Sequence, residues 1–173
     1  MILALILIIF DIFLRVIPHP ANFAPITASA LFVGTYLPKK WAFLVPILAM
    51  IISDYLLYPN MMFHSTTAYV WGSFMISGLI GLWLKSHQSP KFIFGASLIS
   101  SLQFFLVTNF GVWLTSGMYE HTFSGLMQSY VMGVPFYRWT LLGDLIYTGA
   151  FFGIYQLAPL LSHRIKQLFQ PTV

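Results

Sequence analysis

The groups in this sequence with chemistry to offer are few, and most interrupt long apolar runs. Among 173 residues there are four acids, eight lysines and arginines, five histidines and no cysteine. Asp11 and Arg15 are spaced i, i+4 in the first apolar run, so on a helix they would share a face and could pair there. Asp54 and Asp144 fall near the ends of two other runs. Each could accept hydrogen bonds from helix neighbours, pair with Arg138, or contact a ligand. A charge at membrane depth is costly unless partnered, which makes such acids functional candidates, although a place near the interface weakens that default.

The histidines form a second set. His19, His64 and His121 occupy three separate connectors, and Asn22, Tyr69, Asn109, Trp113, Tyr119 and Tyr130 fall at the same level of the apolar segments. Singly, a histidine at a membrane boundary caps a helix or meets solvent, and the aromatic residues are those of an ordinary interfacial belt. Together they could stack on a planar ligand. Zinc ligation has little support, because no HxxxH or HxH spacing is present. Nor is there an HExxH, a GxSxG or a cysteine nucleophile, so an enzyme ranks last among the readings. The absence of cysteine also removes disulfides.

These residues need apolar elements to position them. The chain is 58% hydrophobic and 7% charged, with a mean hydropathy of +0.82, where soluble domains carry about 25% charged residues. The sequence predicts an all-α integral membrane protein, a single transmembrane domain over 1–173. Six apolar runs, 1–17, 23–37, 41–58, 66–84, 92–114 and 140–161, are cut by polar residues or proline. The second is short for a full crossing, which takes about 20 residues. With no basic n-region and no small-residue cleavage site, the first run reads as a retained helix.

Charge supplies the orientation. Lys39 and Lys40, Lys85 and Lys91, and Arg164 and Lys166 fall on one side only if there are six spans, and positive charge favours the cytoplasm. Both termini are then expected to be cytoplasmic. The other side receives the connectors 18–22, 59–65 and 116–139, whose one cation is Arg138 beside Glu120 and three histidines. The 116–139 stretch is apolar enough to lie in the interface or dip inward. The net charge of +4 is spread singly and in pairs between apolar runs, which argues against nucleic acid. No internal repeat of the secondary-carrier kind is visible. Small residues at Ala24 and Ala28, with Ser29, Gly34 and Thr35, thin the second run, and Gly72, Gly78 and Gly81 thin the fourth. They suit close helix packing or a partner interface.

The runs Arg15-Val-Ile-Pro-His-Pro-Ala-Asn-Phe-Ala-Pro-Ile-Thr-Ala28, Pro46-Ile-Leu-Ala-Met-Ile-Ile-Ser-Asp54, Asn109-Phe-Gly-Val-Trp113 and Gly133-Val-Pro-Phe136 resemble an uncharacterised family of small bacterial membrane proteins. That family is similar to the substrate-binding S components of energy-coupling-factor vitamin transporters in size, six spans, topology and an AxxxA-like pattern. The resemblance implies a six-helix fold in the bacterial cytoplasmic membrane, binding a vitamin-like molecule near the outer face. It also implies Ala24 and Ala28 facing a coupling subunit driven by ATPases. Those proteins usually carry AxxxA in the first helix, not in a second segment after a proline-rich turn, a departure that bears on docking. The chain has no Walker A motif of its own.

The analogue suggested within that group is the solitary cobalamin-specific type, which works without a dedicated coupling module and ligates cobalt through a cysteine. Here His64, five residues before Tyr69, would be the axial ligand to cobalt of a bound cobalamin. The candidate pocket residues are His19, Asn22, Asp54, His64, Tyr69, Asn109, Trp113, Tyr130 and Asp144, with no intrinsic cofactor. The competing reading is a ligand-free membrane scaffold, in which the polar groups pair with one another and leave no cavity.

Overall fold

The computed structural model describes residues 1–59 and 63–168, with side chains up to Ala158. Proline and its neighbours set the first boundaries. Helix α1, Ile2–Val16, ends where Ile17 takes extended backbone (φ −71°, ψ 149°) ahead of Pro18, since a residue before proline is pushed out of the helical region. Phe23 N–H closes a turn onto the Pro20 carbonyl at 3.0 Å, and Asn22 occupies the left-handed region at φ 65°. Helix α2, Ile26–Tyr36, starts behind Pro25 and stops at extended Leu37, the residue before Pro38. Helices α3, Trp41–Leu57, and α4, Thr67–Leu84, follow. Helix α5, Pro90–Thr115, opens with proline in its first turn, where the missing N–H costs nothing. Helix α6 runs Phe123–Leu168. Among the described residues there are thus six helices and no strand.

Three of the helical stretches, Thr67–Leu84, Pro90–Thr115 and Phe123–Ala158, are long and apolar enough to cross a membrane. Helices α1, α3, α4 and α5 fall close to where the apolar runs predict them. Two expectations change. Helix α2 has 11 residues, about 17 Å at 1.5 Å per residue, little more than half the ~30 Å of a hydrocarbon core. It is a core helix: every residue from Ile26 to Thr35 is buried, and it touches all five other helices. Within the 116–139 stretch, read as a connector, residues 123–139 form the first part of the 46-residue α6. Pro135 withholds one N–H from that helix. Packing carries the helix through, with Tyr130 and Tyr137 against the Phe105 ring and the Tyr130 hydroxyl donating to the Leu106 carbonyl at 3.2 Å.

Helix ends alternate between two poles. The end of α1 meets the end of α3 through Arg15 and Asp54, with the starts of α2 and α4 nearby. At the other pole, Tyr36 packs on Phe152 and Tyr155 of α6, and Leu84 of α4 shares a core cluster with Ile93 of α5. Lys39, Lys40, Lys85 and Lys91 are exposed around that second pole. The Arg164 and Lys166 side chains lie outside the described residues.

The distribution of polarity is inverted relative to a water-soluble domain. Large apolar side chains such as Ile6, Ile9, Phe13, Leu79 and Ile99 are exposed, while Asp11, Ser29, Ser53, Ser77 and Ser97 have no accessible surface. This suits lipid outside and a hydrogen-bonded interior. Serines 73, 77 and 101 each donate to the carbonyl one turn back, and Gln103 of α5 donates to the Ser73 carbonyl and the Ser77 hydroxyl at 2.9 and 3.1 Å. Small residues bring α2 and α4 into backbone contact: a Cβ at Gly34 would sit 2.7 Å from the Gly78 carbonyl oxygen, and one at Gly81 2.5 Å from that of Leu31. The Ala42 carbonyl lies against Gly78. That carbonyl is the one Pro46 leaves without its helical donor, and only a residue without Cβ can approach it so closely. Gly72, in contrast, has open space around it and takes no part in the contact.

Candidate functional site

The first pole holds a cavity of about 260 Å³ between α1, α2, α3, α4, α5 and α6. The elements that build it follow from the local sequence. The turn 18–25, fixed by three prolines and by Asn22, brings His19, Asn22 and Ala24 to one wall. Arg15 at the end of α1 and Met50 on α3 form a second wall, while Asp144 and Thr140 on α6 face Thr27 on α2. Ile26, Val70, Phe74 and Phe104 supply apolar surface. A second cavity of about 190 Å³ adjoins it, sharing Asn22, Val70, Phe104 and Thr140 and extending to Asn109 and Gly133.

The charges are fixed by named partners. Arg15 Nη2 pairs with Asp54 Oδ1 at 2.9 Å, the two side chains 17% and 13% exposed, and Nη1 donates to Ser53 Oγ at 2.8 Å. This corrects the expected Asp11–Arg15 pair. Arg15 reaches across to α3, and Asp11, fully buried, accepts a hydrogen bond from Ser29 of α2 at 2.7 Å. Arg138 does not serve either acid; its guanidinium lies over the Trp139 ring, 5.0 Å from the centroid. Asp144 is 2% exposed, accepts from the Ser101 hydroxyl at 2.7 Å and is also bonded by Thr27.

The structure divides the expected site residues. His19, Asn22 and Asp144 line the first cavity and Asn109 the second, while Asp54 acts through Arg15. Other candidates hold the fold together. Tyr69 covers Gly111, where a Cβ would collide with its ring. Trp113 Nε1 donates to the Glu120 carbonyl at 2.9 Å and its ring meets His121. Tyr130 is tied to Leu106. His64 is exposed at the approach to α4, its backbone N–H donating to Thr67 Oγ1. Among the described residues no three His, Asp or Glu side chains gather to hold a metal. Ala28 is fully buried within the bundle, and Ala24, half-buried, borders the cavity.

Sequence reasoning passed over Thr27, Thr140 and the serines of α5. The available signal was the spacing of Ser100 and Ser101 one turn after Ser97 in a largely apolar helix. Residues 1–168 match the model of a family described as of unknown function, DUF6580. No curated protein and no solved structure matches the chain.

Proposed function

Because this chain belongs to the DUF6580 family of unknown function, we propose its role from its own geometry: a membrane subunit that binds a small vitamin-like molecule at the outer face for uptake. In this reading the six-helix bundle sits across the bacterial cytoplasmic membrane, α2 enclosed within it, with the lysine pole and both termini inside. The carrying observation is the first cavity, where a half-buried guanidinium and a buried carboxyl line a pocket beside the apolar surface of Ile26, Val70, Phe74 and Phe104. Such a site suits a planar ligand with an anionic group toward Arg15 and a hydrogen-bond donor toward Asp144. The S-component resemblance supports the same class of ligand.

A cavity of about 260 Å³ lies just under the roughly 300–1,000 Å³ of drug-sized sites, which favours a ligand smaller than a corrin. His64 as an axial ligand to cobalt would need the mouth of the cavity to widen toward α4. A coupling subunit with ATPases would have to dock elsewhere than on α2. The scaffold reading asks the polar groups to pair and leave no space, and the cavity weighs against it.

Binding is tested by thermal unfolding of the purified protein in detergent with thiamine, riboflavin, biotin, pantothenate, niacin and cobalamin in turn. A true ligand at a hundred times its Kd adds about 2.7 kcal/mol to stability. One compound is expected to raise Tm in the wild type and leave Val70→Trp, whose indole fills the cavity, unmoved. A shift that persists in Val70→Trp, or none with any compound, would count against the proposal.

A further inference from the structure

The charges around the first cavity do not balance within the protein. Arg15, His19 and Asp144 stand in its walls. The guanidinium of Arg15 is committed to α3: Nη2 pairs with Asp54, and Nη1 donates to Ser53 Oγ and Met50 Sδ at 2.8 and 2.7 Å. The His19 ring is turned onto backbone, with Nδ1 2.7 Å from the Pro20 carbonyl oxygen and Nε2 3.2 Å from that of Arg15. Arg138, earlier on α6, lies over the Trp139 ring. Among the described residues the one ion pair is Arg15–Asp54, so Asp144 meets no cation. Its partners are the hydroxyls of Ser101, at 2.7 Å, and Thr27, which bring no charge.

Helix packing does not call for an acid at this position. An asparagine carbonyl, with two lone pairs, could accept both hydroxyls without carrying a charge, whereas a buried carboxylate is costly unless an opposite charge meets it. The space that could hold that charge lies beside it, because Asp144 borders the cavity and does not close a core. Phe74 and Phe104, whose ring centroids are 5.2 Å apart, line the same cavity. Aromatic rings attract cations through their electron-rich faces. A carboxylate held by two neutral donors, next to a pair of phenyl rings, makes surroundings suited to a cationic nitrogen.

We propose that the first cavity selects ligands carrying a cationic nitrogen, such as a protonated amine or a charged heterocycle, seated against Asp144; the inference rests on the reading of this cavity as the ligand site. A neutral donor would leave the carboxylate uncompensated, and an anion at this wall would add to its charge. A ligand that also sets an anionic group toward Arg15 is a zwitterion, its two charges turned to opposite walls.

The test uses three compounds that share a pyridine ring and differ in charge: N-methylnicotinamide with the methyl on the ring nitrogen, a fixed cation; nicotinamide, neutral; and nicotinate, an anion. Their Kd values are taken from the concentration dependence of Tm for the full chain in dodecyl maltoside. Wild type is expected to bind the cation about tenfold more tightly than nicotinamide, and nicotinate more weakly still. Asp144→Asn, which keeps the shape and removes the charge, should bring the cation and nicotinamide to within about twofold. Val70→Trp should abolish every shift. If Asp144→Asn is not recovered folded, the order of binding in the wild type decides. Nicotinamide or nicotinate binding as tightly as the cation overturns the inference, and so does a preference for the cation that survives in Asp144→Asn. If none of the three binds, the compound found in the vitamin screen decides: thiamine, with its cationic ring, supports the inference, and any of the others overturns it. The two readings fail separately. Binding that Val70→Trp removes but that ignores charge leaves the cavity a ligand site and defeats the cation alone, whereas no shift with any compound defeats both.

Discussion

Arg15→Leu is expected to lower stability by about 3 kcal/mol, the lower end of the range for removing one partner of a buried ion pair. Asp54 would be left 13% exposed in a membrane bundle with its counter-charge gone, and Ser53 and Met50 would lose the guanidinium they contact. The double variant Arg15→Leu, Asp54→Leu is expected to recover most of the loss, because two apolar side chains replace two desolvated charges. Unfolding in mixed micelles of dodecyl maltoside and dodecyl sulfate, read by circular dichroism, measures both. The double variant should remain unable to respond to the ligand that stabilises the wild type. Recovery of fold without recovery of binding would separate the guanidinium's contact with ligand from its part in holding α1 to α3. Equal stability of the single and double variants would mean that Asp54 finds water when Arg15 is removed.

Gly81→Leu should be more severe. Overpacking a core costs roughly 1–3 kcal/mol when side chains can shift, but the atom facing a Cβ here is the Leu31 carbonyl oxygen, at 2.5 Å, with Leu31 Cα at 2.9 Å. Backbone of a helix buried on all sides cannot step aside without moving α2 away from α1, α3, α5 and α6 as well. The expected result is little or no folded protein recovered from membranes, judged by size-exclusion of a fluorescent fusion. Gly95→Leu on α5, where a Cβ meets nothing within 4 Å, should be recovered as wild type. If Gly81→Leu gives a monodisperse peak like Gly95→Leu, the backbone contact of α2 with α4 does not exist in solution.

Much of this arrangement could be read from residue order. Prolines 18, 20, 25 and 38 announce their helix boundaries because proline restricts the residue before it, and alternation of lysines with histidines and acids marks the two poles. The first pole gathers His19, Asn22, Asn109 and Asp144 at two adjoining cavities. The Asp11–Arg15 spacing misled because i, i+4 allows a pair without requiring one: a long guanidinium reaches Asp54 on α3, and Asp11 faces Ser29 on α2. Tyr69, Trp113 and Tyr130 looked available for a ligand, yet each covers a glycine or ties down a backbone carbonyl, contacts between distant segments that spacing cannot show. The stretch before Thr140 read as a connector, whereas stacking of Tyr130 and Tyr137 on Phe105 accompanies a helix that already runs from Phe123. The hydrogen bond from Ser101 of α5 to Asp144 of α6 is likewise a contact between distant segments that residue order does not show.

An outward-facing cavity opposite a cytoplasmic lysine pole is directly measurable in this chain, because it has no cysteine. Single cysteines are placed at Ala21, exposed beside the first cavity, and at Gln88, exposed in the connector between α4 and α5. A membrane-impermeant maleimide is then applied to intact spheroplasts and to permeabilised ones. Ala21→Cys should label in intact cells and be protected by the ligand found in the unfolding screen, and Gln88→Cys should label only after permeabilisation. Labelling of Gln88→Cys in intact cells, or equal labelling of Ala21→Cys with and without ligand, would contradict the account.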